Sequence, residues 1–131
     1  MSKFIEYLTE GKTGFNIDIE KETLDNKNFR KVLFTTKNDQ LVVMSVKPND
    51  DIGLETHEDG SQFIRIESGQ GKAIISGREF PLKDGTAFVI PAGSEHNVIN
   101  TSSKEDLKLY AVYSPPNHPD GKIDKEKPEE D

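Results

Sequence analysis

The sequence predicts an all-β protein that folds as a single small sandwich or barrel. Apolar and polar residues alternate in short stretches such as "QFIRIES" (62–68) and "LKLYAVY" (107–113), and a period of two is typical of half-buried strands. Turn-forming residues interrupt these stretches roughly every eight to twelve residues, the spacing expected in sandwiches and barrels. The sequence has no long helical pattern and no βαβ unit, which argues against helical-bundle and parallel α/β folds.

The length and composition fit one domain. The chain has 131 residues, of which 32% are hydrophobic, and this length leaves no room for a second core. A small barrel needs apolar side chains only at the inward-facing positions of its strands. We assign residues 1–116 to the barrel domain. We expect residues 117–131, "NHPDGKIDKEKPEED", to form a flexible acidic tail, because this stretch is rich in charge and proline.

Three further elements are expected before the middle of the chain. The opening segment "MSKFIEYLTEG" (1–11) fits either a short helix or an edge strand, and its pattern leaves both open. "FNIDIE" (15–20) alternates as a half-buried strand does. "RKVLFTT" (30–36) and "LVVMSVK" (41–47) predict a hairpin that turns within "KNDQ".

The charge balance argues against nucleic-acid and membrane partners. The 24 acidic and 17 basic residues give a formal net charge of −7, which would repel a phosphate backbone. No basic amphipathic helix and no apolar stretch of bilayer or signal-peptide length is present. The lack of cysteine excludes disulfides, thiolate metal ligands and a cysteine nucleophile. These features predict a cytoplasmic protein.

The residues that carry chemistry lie in two turn-rich segments near the middle of the chain. His96 follows the turn "PAG" at the start of a strand, where a barrel can hold an imidazole rigidly at its cavity. Glu55 and His57 are two residues apart, so they share one face of an extended segment. Gln62 opens the next strand and is expected opposite them. His118, the third histidine of the chain, is expected to be exposed in the tail.

The segment that contains His96, residues 85–100, resembles the second sequence motif of the cupin superfamily, G(X)5PXG(X)2H(X)3N. Every fixed position of that motif is matched, by Gly85, Pro91, Gly93, His96 and Asn100. Five fixed positions at fixed spacing make this resemblance specific. We expect Asn100 to brace a turn through backbone hydrogen bonds.

The segment that contains Glu55 and His57, residues 49–69, resembles the first cupin motif, G(X)5HXH(X)3–4E(X)6G, in part. His57 falls on the second histidine and Gly69 on the closing glycine, whereas Glu55 replaces the first histidine, Gln62 the glutamate and Asn49 the opening glycine. The stretch "IGLETHEDGSQFIRIESGQGKA" also resembles a subgroup of small RmlC-like cupins. Members of that subgroup are often labelled sugar-phosphate isomerases of the mannose-6-phosphate isomerase type.

The resemblance implies a jelly-roll β-barrel with one divalent metal ion in its interior, bound by Glu55, His57, Gln62 and His96. Glu55 supplies the carboxylate that Gln62 lacks, so the charge of the ligand set is that of the usual site. Two imidazoles, one carboxylate and one amide oxygen suit Mn, Fe, Ni, Co or Zn. Glu55 is the candidate catalytic base if it does not bind the metal. The resemblance also implies a homodimer.

Two functions follow from this site. The first is a metal-dependent enzyme of the oxygenase or isomerase type that acts on a small oxygenated molecule. The alternative is a non-catalytic module that binds a sugar or organic acid. A purely structural role would not need His57 and His96 in one interior.

Each candidate ligand also has a simpler interpretation. His96 could be a hydrogen-bonded core histidine, Glu55 could form a salt bridge with Arg65 or Arg78, and Gln62 could orient a neighbouring group. Arg65 could bind an anionic substrate, but alternation places it on the opposite face of its strand from Gln62.

Overall fold

The computed structural model of the chain describes residues 14–129. This part contains one helix and nine strands: α1 (Ile19–Asp25), β1 (Arg30–Thr35), β2 (Gln40–Val46), β3 (Ser61–Ser68), β4 (Gln70–Ile75), β5 (Arg78–Lys83), β6 (Ala87–Ile90), β7 (His96–Asn100), β8 (Leu107–Ser114) and β9 (Ile123–Asp124). The helix or edge strand expected over residues 1–11 lies outside the described residues. Within residues 14–129, no helix is long and apolar enough to cross a membrane.

Two antiparallel sheets form a jelly-roll β-sandwich, as predicted. The larger sheet has the strand order β6–β3–β8–β2–β1–β9, and the smaller has the order β5–β4–β7. The segment before β3 extends the smaller sheet, because Asp51 and Glu55 pair with Ile99 and His96 of β7. The opposite edge of β7 is paired with β4. This extension brings the two candidate segments of the sequence side by side.

The apolar core lies between the two sheets. β3 and β8 bury every second residue over most of their length, as the alternation predicted. The fully buried apolar side chains include Val42, Met44, Val46, Ile64, Ile66, Ala73, Leu107 and Leu109. Burial of a large aliphatic side chain stabilises the fold by about 1.5–3 kcal/mol, so this core is a firm support for polar side chains that enter the same interior.

The segment "FNIDIE" differs from the expected strand. Residues 14–18 have no regular structure, and the helix begins within the segment. The side chain of Asp18 caps the helix by accepting a hydrogen bond from the backbone N–H of Lys21 at 3.2 Å. Phe15 stacks on Phe34 with ring centroids 4.7 Å apart. The prediction of a strand was therefore wrong, because a helix cap and an aromatic contact satisfy this segment without a strand partner.

The end of the described chain, residues 117–129, packs on the larger sheet. The buried side chain of Gln40 donates from Nε2 to the carbonyl of His118 at 2.7 Å. Its Oε1 accepts from the backbone N–H groups of Asn117 and His118 at 3.1 and 3.0 Å, and β9 pairs with β1. The expectation of a loosely attached tail is wrong for these residues, because side chains and an edge strand of the barrel satisfy their backbone. The domain boundary at residue 116 stays a prediction.

Ion pairs also hold this C-terminal segment in place. Arg30 Nη1 donates to Asp124 Oδ2 at 2.7 Å, with the two side chains only 8% and 16% exposed. Lys127 Nζ lies 2.6 Å from Asp51 Oδ1. Some of the charged residues that suggested a solvated tail therefore form ion pairs with the barrel. Burial strengthens the attraction between Arg30 and Asp124.

The asparagine that closes the second motif braces the fold, as predicted. Asn100 is buried, and its Nδ2 donates to the carbonyls of Val46 and Glu105 at 3.0 and 2.8 Å. Its Oδ1 accepts from the backbone N–H of Ser102 at 2.8 Å. One side chain therefore joins the end of β2, the end of β7 and the loop that leads to β8.

Replacement of Asp124 by alanine should destabilise the protein, because Arg30 would remain buried without its carboxylate. Breaking a buried pair in this way costs about 3 kcal/mol. We expect the free energy of unfolding in urea to fall by about that amount. Asp120→Asn, an exposed change in the same segment, should shift it by less than about 0.5 kcal/mol. Equal stabilities for the Asp124 variant and the wild type would show that this ion pair does not hold the segment.

Candidate metal centre

Glu55, His57 and His96 form a compact group of metal-ligating side chains. One ligand atom from each lies within 4.8 Å of the other two. Glu55 Oε1 is 3.3 Å from His57 Nε2 and 4.0 Å from His96 Nε2. Metal–ligand bonds of about 2 Å place the donor atoms of one ion about 3–3.5 Å apart. Small side-chain adjustments would therefore let these three atoms share an ion.

The register of two neighbouring segments places these side chains together. Glu55 and His96 are directly opposite, and each backbone N–H donates to the carbonyl of the other at 2.9 Å. Directly opposite residues project from the same face of a sheet. His57 lies two residues beyond Glu55 and projects from that face as well, while the residues between and beside them are exposed. The predicted shared face of Glu55 and His57 is thus confirmed.

The turn "PAG" before β7 fixes both histidines. His96 Nδ1 lies 2.9 Å from the carbonyl of Ser94. A carbonyl only accepts, so Nδ1 carries a proton and Nε2 is the ring nitrogen that faces Glu55. The backbone N–H of Gly93, which has a φ of 83°, donates to the carbonyl of His57 at 2.9 Å. This part of the second motif therefore holds the ring of His96 and the backbone of His57 in place.

The environment of Glu55 favours its ionised form. Burial opposes ionisation, but the contact with His57, the nearby His96 and the positive charge of Arg30 together hold the pKa of this carboxyl below its usual value. Burial raises the pKa of the neighbouring Tyr113 hydroxyl above its usual value, and the charge of Glu55 raises it further. Glu55 is thus a carboxylate at neutral pH, which is the state that binds a cation.

Gln62 faces the same interior from the larger sheet. It is buried on β3, paired with Tyr113 of β8 and Ile90 of β6. The Tyr113 ring meets the His57 ring edge-on, with centroids 5.9 Å apart. Gln62 therefore lies beside a residue that contacts the histidine group, and its role as a ligand stays a prediction.

Two buried polar atoms at this place lack hydrogen-bond partners. Among the described residues, neither His57 Nε2 nor Gln62 Oε1 has a partner of good hydrogen-bond geometry. Leaving such groups unsatisfied costs about 1–3 kcal/mol each. A cation held by Glu55, His57 and His96 would satisfy His57 Nε2, so this donor set fits a metal ion.

The structure separates Arg65 from this site, as predicted. Arg65 points away from the face that buries Gln62 and pairs instead with Glu67, Nε to Oε2, at 3.1 Å. The arginine near the site is instead Arg30, which is buried on β1 and whose charge acts on Glu55. The local sequence does not predict that Arg30 lies near Glu55, because the order of strands in the larger sheet brings it there.

His118 is also a neighbour that the sequence placed wrongly. It is half-buried, not exposed, and its ring meets the Tyr113 ring edge-on with centroids 5.2 Å apart. Burial, together with the charge of Arg30, lowers the pKa of His118 to about 4. The expectation of exposure failed because it rested on a loosely attached tail.

The lowered pKa of His118 predicts an acid sensitivity. Between pH 6.5 and pH 4 the unfolded chain takes up a proton at His118 and the folded chain does not, so this residue removes stability as the pH falls. After allowance for solvent screening the loss is about 1–2 kcal/mol. We expect His118→Asn to flatten the pH dependence of urea unfolding over this range by that amount. Parallel curves for the variant and the wild type would contradict this assignment.

The comparisons with known proteins agree with the fold. The family model described as "Cupin domain" matches residues 42–113, the stretch from β2 to β8 that holds all four candidate ligands. The uncharacterized protein L612 of Acanthamoeba polyphaga mimivirus is 43% identical over 116 residues, which cover 86% of this chain and 72% of that protein.

Two solved structures extend the comparison. BH2720 from Bacillus halodurans is 39% identical, with a TM-score of 0.83 over 88% of this chain and 92% of that chain. A predicted oxalate decarboxylase from Thermotoga maritima is 28% identical, with a TM-score of 0.57 over 61% of this chain and 69% of that chain. By its fold, its second motif and these relatives, the chain belongs to the cupin family.

Proposed function

We propose that this cupin is a metal-dependent enzyme that acts on a small oxygenated molecule. The observation that carries the proposal is the convergence of Glu55, His57 and His96 within 4.8 Å, where the buried His57 Nε2 has no partner of good hydrogen-bond geometry among the described residues. A barrel that only packed its core would not retain these costly polar groups together. Gln62 completes the proposed ligand set of one divalent transition metal, Mn, Fe, Ni, Co or Zn.

The residues of the chain have distinct roles in this proposal. Each histidine offers a neutral nitrogen, and Ser94 fixes which nitrogen His96 presents. Glu55 balances part of the cation's charge. The neutral Tyr113 ring packs against His57 on one side of the metal-ligating group. A divalent ion held there supplies Lewis-acid polarisation of oxygen atoms on a bound ligand. If Glu55 stays off the metal, its carboxylate is placed to accept a proton from that ligand.

The reaction class we propose is oxygenation or isomerisation of a small oxygenated compound, both of which use a metal with open coordination positions. The relative that is a predicted oxalate decarboxylase supports small-molecule chemistry in a barrel of this kind. A non-catalytic ligand-binding module is the second candidate, favoured by the absence of the first histidine from the first motif. Homodimerisation, a cytoplasmic location, and the absence of nucleic-acid and membrane partners are further parts of this proposal.

Metal loading tests the proposed centre. The wild type, incubated with Mn²⁺ and then desalted, should retain close to one ion per chain by mass spectrometry. His96→Ala should weaken Mn²⁺ binding by about 100-fold or more, because it removes a ligand. In other metal sites, loss of a residue that only supports a ligand already lowers metal affinity by about 10–100-fold. Gln62→Leu should weaken binding less, because an amide oxygen is a weak ligand.

The matched control is His118→Asn, which removes the histidine that stands outside the group and should retain the metal. Equal retention by the wild type and His96→Ala would contradict the proposed centre. Testing several divalent metals in the same format identifies the ion the site prefers.

Turnover separates the two candidate functions. The metal-loaded chain is incubated with small organic acids and sugars, and thermal shift and mass analysis of the products are recorded. We expect one compound both to raise the melting temperature and to be converted, with conversion lost in His96→Ala and Glu55→Gln. A compound that stabilises the loaded protein without being converted would favour the binding module.

A further inference from the structure

A cavity of about 440 Å³ opens beside Glu55. It lies between the start of β1, the segment before β3 and the docked C-terminal segment. Three cationic side chains, Arg30, Lys122 and Lys127, line it together with the carboxylates of Glu55 and Glu129. The three cations differ in how fully neighbouring carboxylates compensate their charge.

Arg30 is the buried member of this group. It is only 7% exposed, and its Nη1 donates to Asp124. Its Nε is buried without a hydrogen-bond partner among the described residues. A guanidinium has five N–H donors in a fixed fork, and one carboxylate oxygen satisfies few of them. Arg30 therefore keeps donor capacity at the edge of the cavity.

Arg30 and Lys122 share a single counterion. Asp124 is shared between Arg30 and Lys122, whose Nζ lies 3.6 Å from Asp124 Oδ1. Lys127 differs, because Asp50 and Asp51 flank it at 3.4 and 2.6 Å. Lys127 is therefore fully compensated by its two aspartates, whereas Arg30 and Lys122 have the one carboxylate of Asp124 between them.

We propose that this cavity binds an oxyanion group of the ligand, a carboxylate or a phosphate, through Arg30 with Lys122 at the rim. The inference rests on the proposed function, since it assigns an anionic class of substrate to the same site. A planar or tetrahedral oxyanion matches the fork of a guanidinium. It would accept hydrogen bonds from the Arg30 donors that Asp124 leaves unused, while a neighbouring oxygen faces the metal centre. Neutral sugars offer neither interaction.

The test compares anionic and neutral probes on the full chain loaded with Mn²⁺. Succinate, inorganic phosphate and the neutral polyol xylitol are titrated by calorimetry. We expect succinate or phosphate to bind and xylitol not to bind, and the stronger of the two anions identifies the group. Arg30→Gln should weaken that binding by about tenfold or more, because a charge-assisted hydrogen bond is lost. Arg30→Lys should restore part of it.

Arg65→Gln is the matched control, because Arg65 is a strand arginine away from the cavity, and it should leave binding unchanged. If both Arg30 variants fail to fold by circular dichroism, Lys122→Gln decides, with an expected weakening of about two- to fivefold at this more exposed position. Equal anion affinity in wild type and in the folded variants, or equal binding of xylitol, would overturn the proposal.

Metal content is measured on every sample, which separates this inference from the proposed function. If the wild type retains no metal, the proposed metal centre is wrong. The same anion titration of the metal-free chain would then test the Arg30 site on its own. A loaded wild type that binds neither anion would overturn the anion site and leave the metal centre standing.

Discussion

The paired backbone hydrogen bonds between Glu55 and His96 fix the geometry on which the site depends. They extend the smaller sheet by an irregular segment and set its register against β7. Because side chains alternate across a strand, a slip of one residue would turn Glu55 and His57 toward solvent. The "PAG" turn secures the same register a second time, since Gly93 holds the backbone of His57 and Ser94 holds the ring of His96.

The apolar core supports this arrangement from the opposite side. β3 and β8 run through the middle of the larger sheet, and they carry Gln62 and Tyr113 into the interior beside the histidine group. These two side chains have little freedom because aliphatic neighbours on the same strands are fully buried. The position of the carboxylate follows the same logic. Gln62 is deeply buried, where an anion would be costly to desolvate, whereas Glu55 is partly exposed.

The C-terminal segment connects stability with the proposed chemistry. Gln40, β1 and the Arg30–Asp124 pair hold it against the larger sheet, and in that position it forms a wall of the cavity beside Glu55. Asp124 both anchors the segment and leaves part of the Arg30 guanidinium uncompensated. One buried ion pair therefore shapes the electrostatics of the space that a ligand would enter.

The sequence by itself determined the all-β class, the strands from β3 to β8 and the shared face of Glu55 and His57, because these follow from short-range periodicity and turn chemistry. The complete second motif also predicted the position of His96 at the start of β7 and the bracing role of Asn100. The sequence failed at "FNIDIE", where a local cap outweighed an alternating pattern, and at the C-terminal segment, where composition suggested solvation. Only the tertiary structure brought Arg30, His118 and Asp124 to the site, because their approach depends on strand order and long-range ion pairing, which leave no periodic mark in the chain.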